Sequence, residues 1–270
     1  MGSINEVKDI LQDAIPVSEK MKICEHCGKP YVWFDKKLTH INIHVQVPAC
    51  NCLEVIEKRK KHQAIETAKK EKLEKLFENS MMTPFFQEKT FKNLDTTKEH
   101  FSVCFKYAKE FHPKVSKGIR MIGKKGTGKT TLLAAISNEL IAQGYSCLFT
   151  TYSALLDKFS KYSYDNAGEI APLLSWLTRF DFVVLDDIGR ESYTGKRNEI
   201  AFRIIDTLLN YKVCTCITAN PEMIQKLQKM PEWAAILDRL KDICKLHLQF
   251  TGESMRGETN AWNQQNTSWW

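Results

Sequence analysis

The feature that most constrains this chain is a glycine-rich stretch from Gly123 to Thr130. It fits the pattern G-x-x-x-x-G-K-[ST] without a mismatch, follows a short, mainly apolar strand candidate at 119–122, and leads into a helical pattern. A phosphate-binding loop requires this strand–loop–helix setting, because glycines let backbone N–H groups approach phosphate oxygens and the helix N-terminus adds partial positive charge. A surface turn that matches by chance is the alternative interpretation.

Two side chains of this loop carry the expected chemistry. Lys129 can reach the β- and γ-phosphates of a nucleotide, and the Thr130 hydroxyl is a ligand for Mg²⁺. The predicted cofactors are therefore ATP and Mg²⁺. We assign further nucleotide contacts to the rest of the loop and the residue after it, namely Gly123, Gly126, Thr127, Gly128 and Thr131.

A second predicted strand, at 181–187, supplies the acids that such a site needs. Four apolar residues precede Asp186 and Asp187, and a continuous apolar run is typical of a parallel strand buried on both faces. Ligands bind at the carboxyl ends of strands in open α/β sheets. We therefore assign Asp186 to Mg²⁺ and Asp187 to activation of the attacking water. Two acids that cap a surface strand are the alternative.

The next predicted strand, at 213–219, ends at Asn220. An amide at this tip can contact the γ-phosphate or the attacking water, although Asn-Pro is also an ordinary turn signal. Further strands are predicted at 118–122, 146–151 and 244–250. Helices are predicted between them at 97–111, 129–143, 152–162, 168–179 and 196–211, and in a helical region that runs to about residue 241. This alternation predicts a doubly wound α/β sheet.

Four cysteines near the front of the chain carry a separate signal. Cys24 and Cys27 form a C-x2-C pair followed by a glycine, and Cys50 and Cys52 form a C-x-C pair just before a helical stretch. Four thiolates around Zn²⁺ close a tetrahedral structural site. A region of about 50 residues with few large apolar side chains benefits from such a staple.

The zinc ligand set stays open at one position. C-x-C is a less usual spacing than C-x2-C, so His40 and His44 are alternatives to one cysteine, and His26 is a weaker one. Free thiols are the other interpretation. Short strands are predicted at 31–34 and 41–47 between the cysteine pairs, and a helix at 4–15 before them.

A highly charged helical stretch follows at 53–79, with a basic core at 58–61. It is interpreted as a solvated linker helix, with contact to nucleic acid or an acidic partner as the alternative. We expect three parts in this chain: a zinc-binding domain at 1–62, a charged helical linker at 63–90 and an ATPase domain at 91–270.

Composition narrows the class of protein. The formal net charge of +7 favours polyanionic partners. No apolar run approaches the roughly 18–20 residues of a membrane span, and the N-terminus lacks the apolar core of a signal peptide. The nine cysteines are an odd number, and several lie in apolar patterns, which favours buried thiols in a reducing compartment. We expect a cytoplasmic protein without a membrane partner.

The ordered motifs resemble a known family. After the phosphate loop and the two acids come Ile217–Asn220, Leu237–Leu240 and a late Ser254–Arg256. This order resembles the bacterial and phage helicase loaders of the DnaC/DnaI type, a branch of the AAA+ ATPases whose close relatives are the IstB transposition helpers. The resemblance covers roughly residues 90–260, and the cysteine-bearing front resembles the zinc-binding N-terminal domain of DnaI-type loaders.

This resemblance implies a fold and several residue roles. The fold would be an AAA+ P-loop ATPase with a five-stranded parallel sheet and a minimal C-terminal lid, preceded by a small zinc-binding domain. Asn220 would be sensor 1, Arg239 an arginine finger that enters the ATP site of a neighbouring subunit, and Arg256 sensor 2. A surface ion pair is the alternative for each arginine. Residues 91–94 would lie near the adenine.

The resemblance also implies a function. The zinc domain would bind the replicative DnaB-type hexameric helicase, and the ATPase domains would self-assemble, bind single-stranded DNA and deliver the helicase to it. Hydrolysis would be slow alone and stimulated by partners. The alternatives are an IstB-like transposition helper, against which the zinc region argues, and a nucleotide-regulated helicase adaptor or inhibitor with little hydrolysis.

Aromatic residues interleaved with a lysine follow the second predicted strand of the ATPase domain. Such a cluster can stack bases and hold phosphates of a single strand, but core packing is the favoured interpretation. Its members are Tyr152, Phe159, Lys161, Tyr162 and Tyr164.

Overall fold

The structure is a computed structural model that describes residues 22–38, 41–189 and 195–254, with the backbone alone at 34–38 and 41–44. The chain divides into two compact units, Met1–Lys70 and Glu71–Trp270. The helix predicted at 4–15, His40, Arg256 and the expected C-terminal lid fall outside the described residues. The division into three parts, with limits at residues 62 and 90, remains a prediction.

An antiparallel hairpin organises the first unit. Strand β1 (Tyr31–Leu38) pairs with β2 (Ile41–Pro48) along its whole length, and Tyr31 lies opposite Pro48. Both predicted strands are confirmed and extend further than the sequence indicated. Because residues 31 and 48 are paired, the hairpin brings the chain before β1 and the chain after β2 to the same end, where the two cysteine pairs lie.

A long helix, α1 (Cys52–Asn79), follows the hairpin and runs across the limit between the two units. Its mostly charged sequence buries no residue, as expected for a solvated helix. Glu54 in the first turn pairs with Lys58 at 2.8 Å. The helix ends where the Ser80 hydroxyl donates to the Phe77 carbonyl at 2.6 Å.

Five parallel strands form the sheet of the second unit, in the spatial order β4-β5-β6-β3-β7. The predicted five-stranded parallel sheet is therefore confirmed, with β3 between β6 and β7. The strands are β3 (Ile119–Gly123), β4 (Cys147–Thr151), β5 (Phe182–Ile188), β6 (Cys214–Ala219) and β7 (Leu246–Phe250).

Eight helices accompany this sheet among the described residues of the second unit, in addition to the end of α1. They are α2 (Pro84–Gln87), α3 (Phe101–Lys109), α4 (Lys129–Ala142), α5 (Tyr152–Asp165), α6 (Ala171–Leu177), α7 (Gly195–Asn210), α8 (Pro221–Gln228) and α9 (Pro231–Ile243).

The core of the second unit lies on both faces of the sheet. Along β5, Val183 and Leu185 pack into one apolar cluster, with α5, α7 and α9, while Val184 packs into the other, with α3 and α4. Successive side chains of a strand point to opposite faces, so a continuous apolar run supplies both clusters. The interpretation of residues 182–185 as a strand buried on both faces is confirmed.

The helix predicted at 97–111 begins later, at Phe101, and ends at Lys109. Asp95 Oδ1 accepts bonds from the Thr97 backbone N–H at 2.9 Å and from its hydroxyl at 2.7 Å, which stabilises a turn instead of a first helical turn. His100 then has a left-handed backbone with φ of 62°. Local hydrogen bonding by a short acid has therefore overridden the helical pattern here.

The aromatic cluster of α5 divides by burial, with Tyr162 partly buried against the core. Tyr152 and Phe159 are fully buried, so core packing is confirmed for them. Tyr164 has 84% of its surface exposed, and Lys161 is exposed as well. Tyr164 and Lys161 are therefore the members of the cluster whose exposure allows contact with a ligand.

One buried amide fastens the segment before the sheet to the phosphate-loop helix α4. Asn138 Nδ2 donates to the carbonyl oxygens of Phe86 at 2.8 Å and Lys89 at 2.7 Å. Phe86 in turn packs against Phe149 of β4, with ring centroids 5.2 Å apart. This anchor fixes α2 beside the residues that follow the phosphate loop.

We predict that Asn138→Ala lowers the free energy of unfolding by about 1–3 kcal/mol, because the buried amide loses its hydrogen bonds to two half-buried carbonyls. Urea denaturation measures the effect. The matched control is Asn166→Ala, whose amide makes one exposed bond, to the Tyr162 carbonyl at 2.8 Å. The control is expected within about 0.5 kcal/mol of wild type. Equal losses in the two variants would contradict the anchoring role of Asn138.

Candidate nucleotide-binding site

A cavity of about 330 Å³ lies at the carboxyl ends of the central strands. This volume falls within the range of small-ligand sites, roughly 300–1,000 Å³. The lining combines residues of the phosphate loop with acids and polar residues that follow β5 and β6. The lining residues are Phe85, Phe86, Lys125, Gly126, Thr127, Gly128, Lys129, Thr130, Thr131, Asp186, Asp187, Thr218 and Asn220.

The phosphate loop joins β3 directly to α4. Gly128 caps the helix with a left-handed backbone, φ 89°, a conformation that glycine adopts without steric cost. The Thr127 hydroxyl closes the loop by donating to the Lys124 carbonyl at 3.0 Å. The helix therefore starts at Lys129 with its N-terminus beside the cavity, where the partial positive charge of its first turn favours an anion.

Lys129 donates hydrogen bonds to backbone carbonyls of its own loop. Its Nζ donates to the carbonyl oxygens of Gly123 at 2.8 Å and Lys124 at 2.6 Å, and 7% of the residue is exposed. The ammonium group is therefore already desolvated at the cavity wall. Phosphate oxygens can replace these carbonyls as acceptors and gain charge-assisted hydrogen bonds.

Asp186 is the acid best suited to hold a cation. Its Oδ1 accepts from the Thr130 hydroxyl at 2.8 Å and from the Thr218 hydroxyl at 2.6 Å. Burial raises the pKa of the Asp186 carboxyl, while these two hydroxyl groups and the charge of Lys129 oppose that rise. A divalent cation nearby favours the ionised form further. Hydroxyl and carboxylate oxygens are the donors that Mg²⁺ takes, so the residues fit the ion.

Asp187 differs from its neighbour in backbone and exposure. Its φ is 60°, and the pairing of β5 with β6 shifts register between Leu185 and Ile188. Its backbone N–H donates to the Thr218 hydroxyl at 2.8 Å. The half-buried Asp187 lines the cavity beside Asp186, so the structure brings the two predicted acids to the same site in different settings.

Asn220 stands directly before α8 and is 7% exposed. It lines the same cavity as Lys129 and the two acids. The structure therefore gathers the predicted phosphate-loop residues Gly126–Thr131, both acids and Asn220 at one place. Gly123 ends β3 just outside this lining and packs against Phe250 of β7.

A smaller cavity of about 200 Å³ lies on the other side of the loop, against Thr127, Gly128 and Thr131. The segment before the sheet forms its second wall, including Asn93 and Leu94. Both residues belong to the segment 91–94, which the family resemblance places near the adenine. The two cavities share three loop residues, so a nucleotide with its phosphates in the larger one can direct its base to the smaller one.

The chain that leaves β7 is tied to this region by Glu99. Glu99 accepts hydrogen bonds from the backbone N–H groups of Thr251 at 3.1 Å and Gly252 at 3.3 Å. This places Ser254 against Gly126, so close that a side chain at residue 126 would clash with it. The described chain therefore ends beside the phosphate loop.

Arg239 lies apart from the cavity of its own chain. On α9, its Nε donates to Asp206 Oδ1 at 2.8 Å, and its guanidinium stacks 4.2 Å from the centroid of the Phe202 ring. Both partners belong to α7. The ion pair that was one interpretation of this residue is present, and a role towards a neighbouring subunit stays a prediction.

The four cysteines of the first unit form a cluster whose sulfur atoms all lie within 4.8 Å of one another. Gly28, with φ of 71°, closes the first knuckle by donating its N–H to the Cys24 carbonyl at 2.9 Å. His26 is exposed and does not belong to the cluster. The side chain of His44 lies outside the described part of the structure. Four thiolates at this spacing fit Zn²⁺.

The thiols of this cluster resist ionising together. The backbone N–H of His26 lowers the pKa of Cys24 to about 6, whereas hydrogen bonding with Cys27 raises the pKa of Cys52 to about 12. The Cys52 backbone N–H lowers the pKa of Cys50, but desolvation and hydrogen bonding with Cys24 and Cys27 outweigh it and raise that pKa. A divalent cation removes this conflict, because it favours all four thiolates at once.

Sequence reasoning missed several residues of the site. Thr218, Phe85 and Lys125 line the main cavity, and Glu99 ties the end of β7 to it. Thr218 gave one signal, a hydroxyl within an apolar strand two residues before Asn220. Glu99 gave none, because its partners lie about 150 positions further along the chain.

Comparisons with known proteins agree with this site. The sequence family described as IstB-like ATP binding protein matches residues 107–262. The replicative helicase loader DnaC of Escherichia coli K12 is 28% identical over 195 residues, which cover 70% of this chain and 78% of that protein. DnaC of Buchnera aphidicola subsp. Acyrthosiphon pisum is 30% identical over 153 residues, which cover 56% of this chain and 61% of that protein.

Solved structures share the fold. A crystal structure of the DnaC helicase loader superposes with a TM-score of 0.53 at 18% identity, over 62% of this chain and 99% of that one. The crystal structure of DnaI gives 0.52 at 22% identity, over 64% and 94%. AMPPCP-bound DnaA from Aquifex aeolicus gives 0.52 at 18% identity, over 68% and 56%. The second unit thus has the AAA+ P-loop fold.

We predict that Lys129→Ala weakens binding of Mg-ATP at least about tenfold, because the charge-assisted hydrogen bonds of the ammonium group to the phosphates are lost. Fluorescence titration with a labelled ATP analogue measures the change in Kd. The matched control is Lys124→Ala, an exposed lysine of the same loop outside the cavity lining, which is expected to stay within about threefold of wild type. Equal weakening in both variants would contradict the specific role of Lys129.

Proposed function

Because the chain belongs to the IstB-like ATP binding protein family, we propose that it is an ATP-dependent loader of a replicative hexameric helicase. The observation that carries this proposal is a phosphate loop and acid pair that meet in one cavity, in a chain that resembles a replicative helicase loader along 70% of its length. The loader would deliver its helicase to single-stranded DNA during replication.

The residues of the cavity have separate roles in ATP hydrolysis. Lys129 and the N–H groups at the start of α4 bind the β- and γ-phosphates, and Thr130 and Asp186 hold Mg²⁺, which neutralises phosphate charge when bound. Asp187 orients and polarises the attacking water, and Asn220 contacts that water or the γ-phosphate. Hydrolysis by an isolated chain is proposed to be slow and to rise with its partners.

Arg239 is proposed to complete the site of a neighbouring copy when the ATPase domains self-assemble. Asp206 and Phe202 hold its guanidinium at a surface of the second unit, away from its own cavity. A guanidinium keeps its charge at all relevant pH values and offers a planar fork to phosphate oxygens. Arg256 is proposed as sensor 2 on its sequence position alone, two residues after the Ser254 contact with the loop.

The first unit is proposed to hold Zn²⁺ through Cys24, Cys27, Cys50 and Cys52 and to bind the helicase. Single-stranded DNA is proposed to contact α5, where Tyr164 and Lys161 are exposed. An exposed aromatic ring beside a cation suits base stacking and phosphate contact. The proposed place of action is the cytoplasm. In the part of the chain that the structure describes, no helix is both long and apolar enough to cross a membrane.

The family name itself favours one other candidate, a transposition helper ATPase that acts on duplex DNA. The cysteine cluster argues against it, since nothing in that role requires a zinc-binding front. A helicase adaptor or inhibitor with little hydrolysis is a third candidate. The placement of Asp187 in the cavity argues against that one, because a switch that only binds ATP does not need a group to activate water.

We predict that the wild-type chain, with ATP and Zn²⁺, forms a complex with the replicative helicase of its host and transfers it to circular single-stranded DNA. Mass measurement detects the complex, and helicase bound to the circles reports transfer. Cys27→Ser is expected to lose its zinc and the complex, because three thiolates no longer close the tetrahedral site.

His26→Ala is the matched control, since this exposed neighbour lies outside the cysteine cluster. It is expected to keep one zinc ion per chain and full helicase binding. Lys129→Ala is expected to keep helicase binding and to lose transfer. Absence of any complex with the wild-type chain contradicts the loader, whereas a complex without zinc contradicts only the role of the metal.

We predict that Lys129→Ala and Arg239→Ala each abolish ATP turnover alone but restore part of it when mixed. In a mixed assembly, the Arg239→Ala subunit contributes an intact nucleotide site and the Lys129→Ala subunit contributes the arginine. Phosphate release, measured against subunit ratio at fixed total protein, reports the restoration. If the mixture is no more active than either variant, Arg239 does not act in a neighbouring site.

A further inference from the structure

Strand β5 is irregular at the two acids. Its pairing with β6 shifts register between Leu185 and Ile188, and Asp187 has a φ of 60°. Such a β-bulge leaves an N–H without its ladder partner and turns a side chain away from the regular alternation. A non-glycine residue at positive φ is sparsely populated, so the surrounding structure must hold it there.

One buried hydroxyl group bridges the two acids at this irregularity. Thr218 Oγ1 accepts the N–H of Asp187 at 2.8 Å and donates its own proton to Asp186 Oδ1 at 2.6 Å. The hydroxyl thus supplies the acceptor that the broken ladder no longer supplies. Thr218 is 2% exposed, so water does not readily take over either bond.

We propose that Thr218 is a positioning residue for ATP hydrolysis, whose hydroxyl separates the tasks of two adjacent carboxylates. Its bond to Asp186 fixes the carboxylate that also accepts the Thr130 hydroxyl and faces the metal position. Its bond from the Asp187 N–H keeps the bulge, which directs the second carboxylate into the cavity. This inference rests on the proposed ATPase function and deepens it.

The two bonds require a group that donates and accepts at once, and a hydroxyl on a short side chain is such a group. Valine has the same shape as threonine but offers neither bond, so both the Asp187 N–H and Asp186 Oδ1 lose a partner. In regular pairing, successive side chains alternate between the faces of a sheet. Loss of the bulge would therefore turn Asp187 away from Asp186 and from the phosphates.

Thr218→Val is expected to lower kcat by about 10- to 100-fold while changing the Kd for Mg-nucleotide by less than about threefold. Thr218→Ser, which restores the hydroxyl, is expected within about threefold of wild-type kcat. Thr218→Ala also lacks the hydroxyl and is measured beside the valine variant, so that a folding defect of one does not decide the outcome. Turnover is measured per folded, nucleotide-binding subunit.

Thr215→Val is the matched control on the same strand. Its buried hydroxyl donates to the Val213 carbonyl at 3.0 Å, on the face opposite Thr218. This variant loses a buried hydroxyl of equal size without touching either acid. It is expected to keep wild-type kcat, whatever it does to thermal stability.

A double variant tests whether Thr218 acts through Asp187. Because part of the effect of Thr218 passes through the carboxylate of Asp187, adding Thr218→Val to Asp187→Asn is expected to slow turnover by clearly less than Thr218→Val slows the wild type, and the remainder reports its contribution through Asp186. Multiplied losses, an unchanged kcat in Thr218→Val, or a failure of Thr218→Ser to rescue would each overturn the positioning role. An inactive wild type with all partners present would instead contradict the proposed ATPase function, and the positioning role with it.

Discussion

The parallel pairing of β3 between β6 and β7 is the constraint on which the site depends. In this register Ile122 lies beside Ala219, and Gly123 lies beside Phe250, so three strands end at the same edge. The phosphate loop, Asn220 and the chain beyond β7 therefore emerge together. Strand β5 pairs with β6 on the far side and adds the two acids. Residues about 100 positions apart in sequence meet because their strands run in the same direction.

The charged groups of the cavity are held by neutral partners. Lys129 Nζ donates to two backbone carbonyls and to the Thr127 hydroxyl, and Asp186 Oδ1 accepts from two hydroxyl groups. Such bonds fix the position of a charge and leave most of its attraction for a ligand. A site arranged in this way needs little rearrangement when phosphates and a cation arrive, which is how preorganised electrostatic sites gain their strength.

The sequence predicted the parts of the site that are contiguous or regular. The phosphate loop, the Asp186–Asp187 pair and the five parallel strands follow from local patterns. The contacts of Thr218, Glu99 and Asp206 do not, because each depends on which strands or helices become neighbours. The late start of α3 was missed for a local reason, since an aspartate that caps a turn looks like any polar residue at the front of a helix. The proposed role of Arg239 towards a neighbouring subunit depends on how copies of the chain pack, which local sequence patterns do not encode.

The contact between Ser254 and Gly126 links the segment after β7 to the phosphate loop. Gly126 meets two demands at once, because its φ of 81° suits glycine and a side chain there would overlap the Ser254 hydroxyl. Residues 126 and 254 therefore limit each other's size although they lie more than a hundred positions apart in the sequence. The segment that follows β7 thus restricts which residues the phosphate loop can carry.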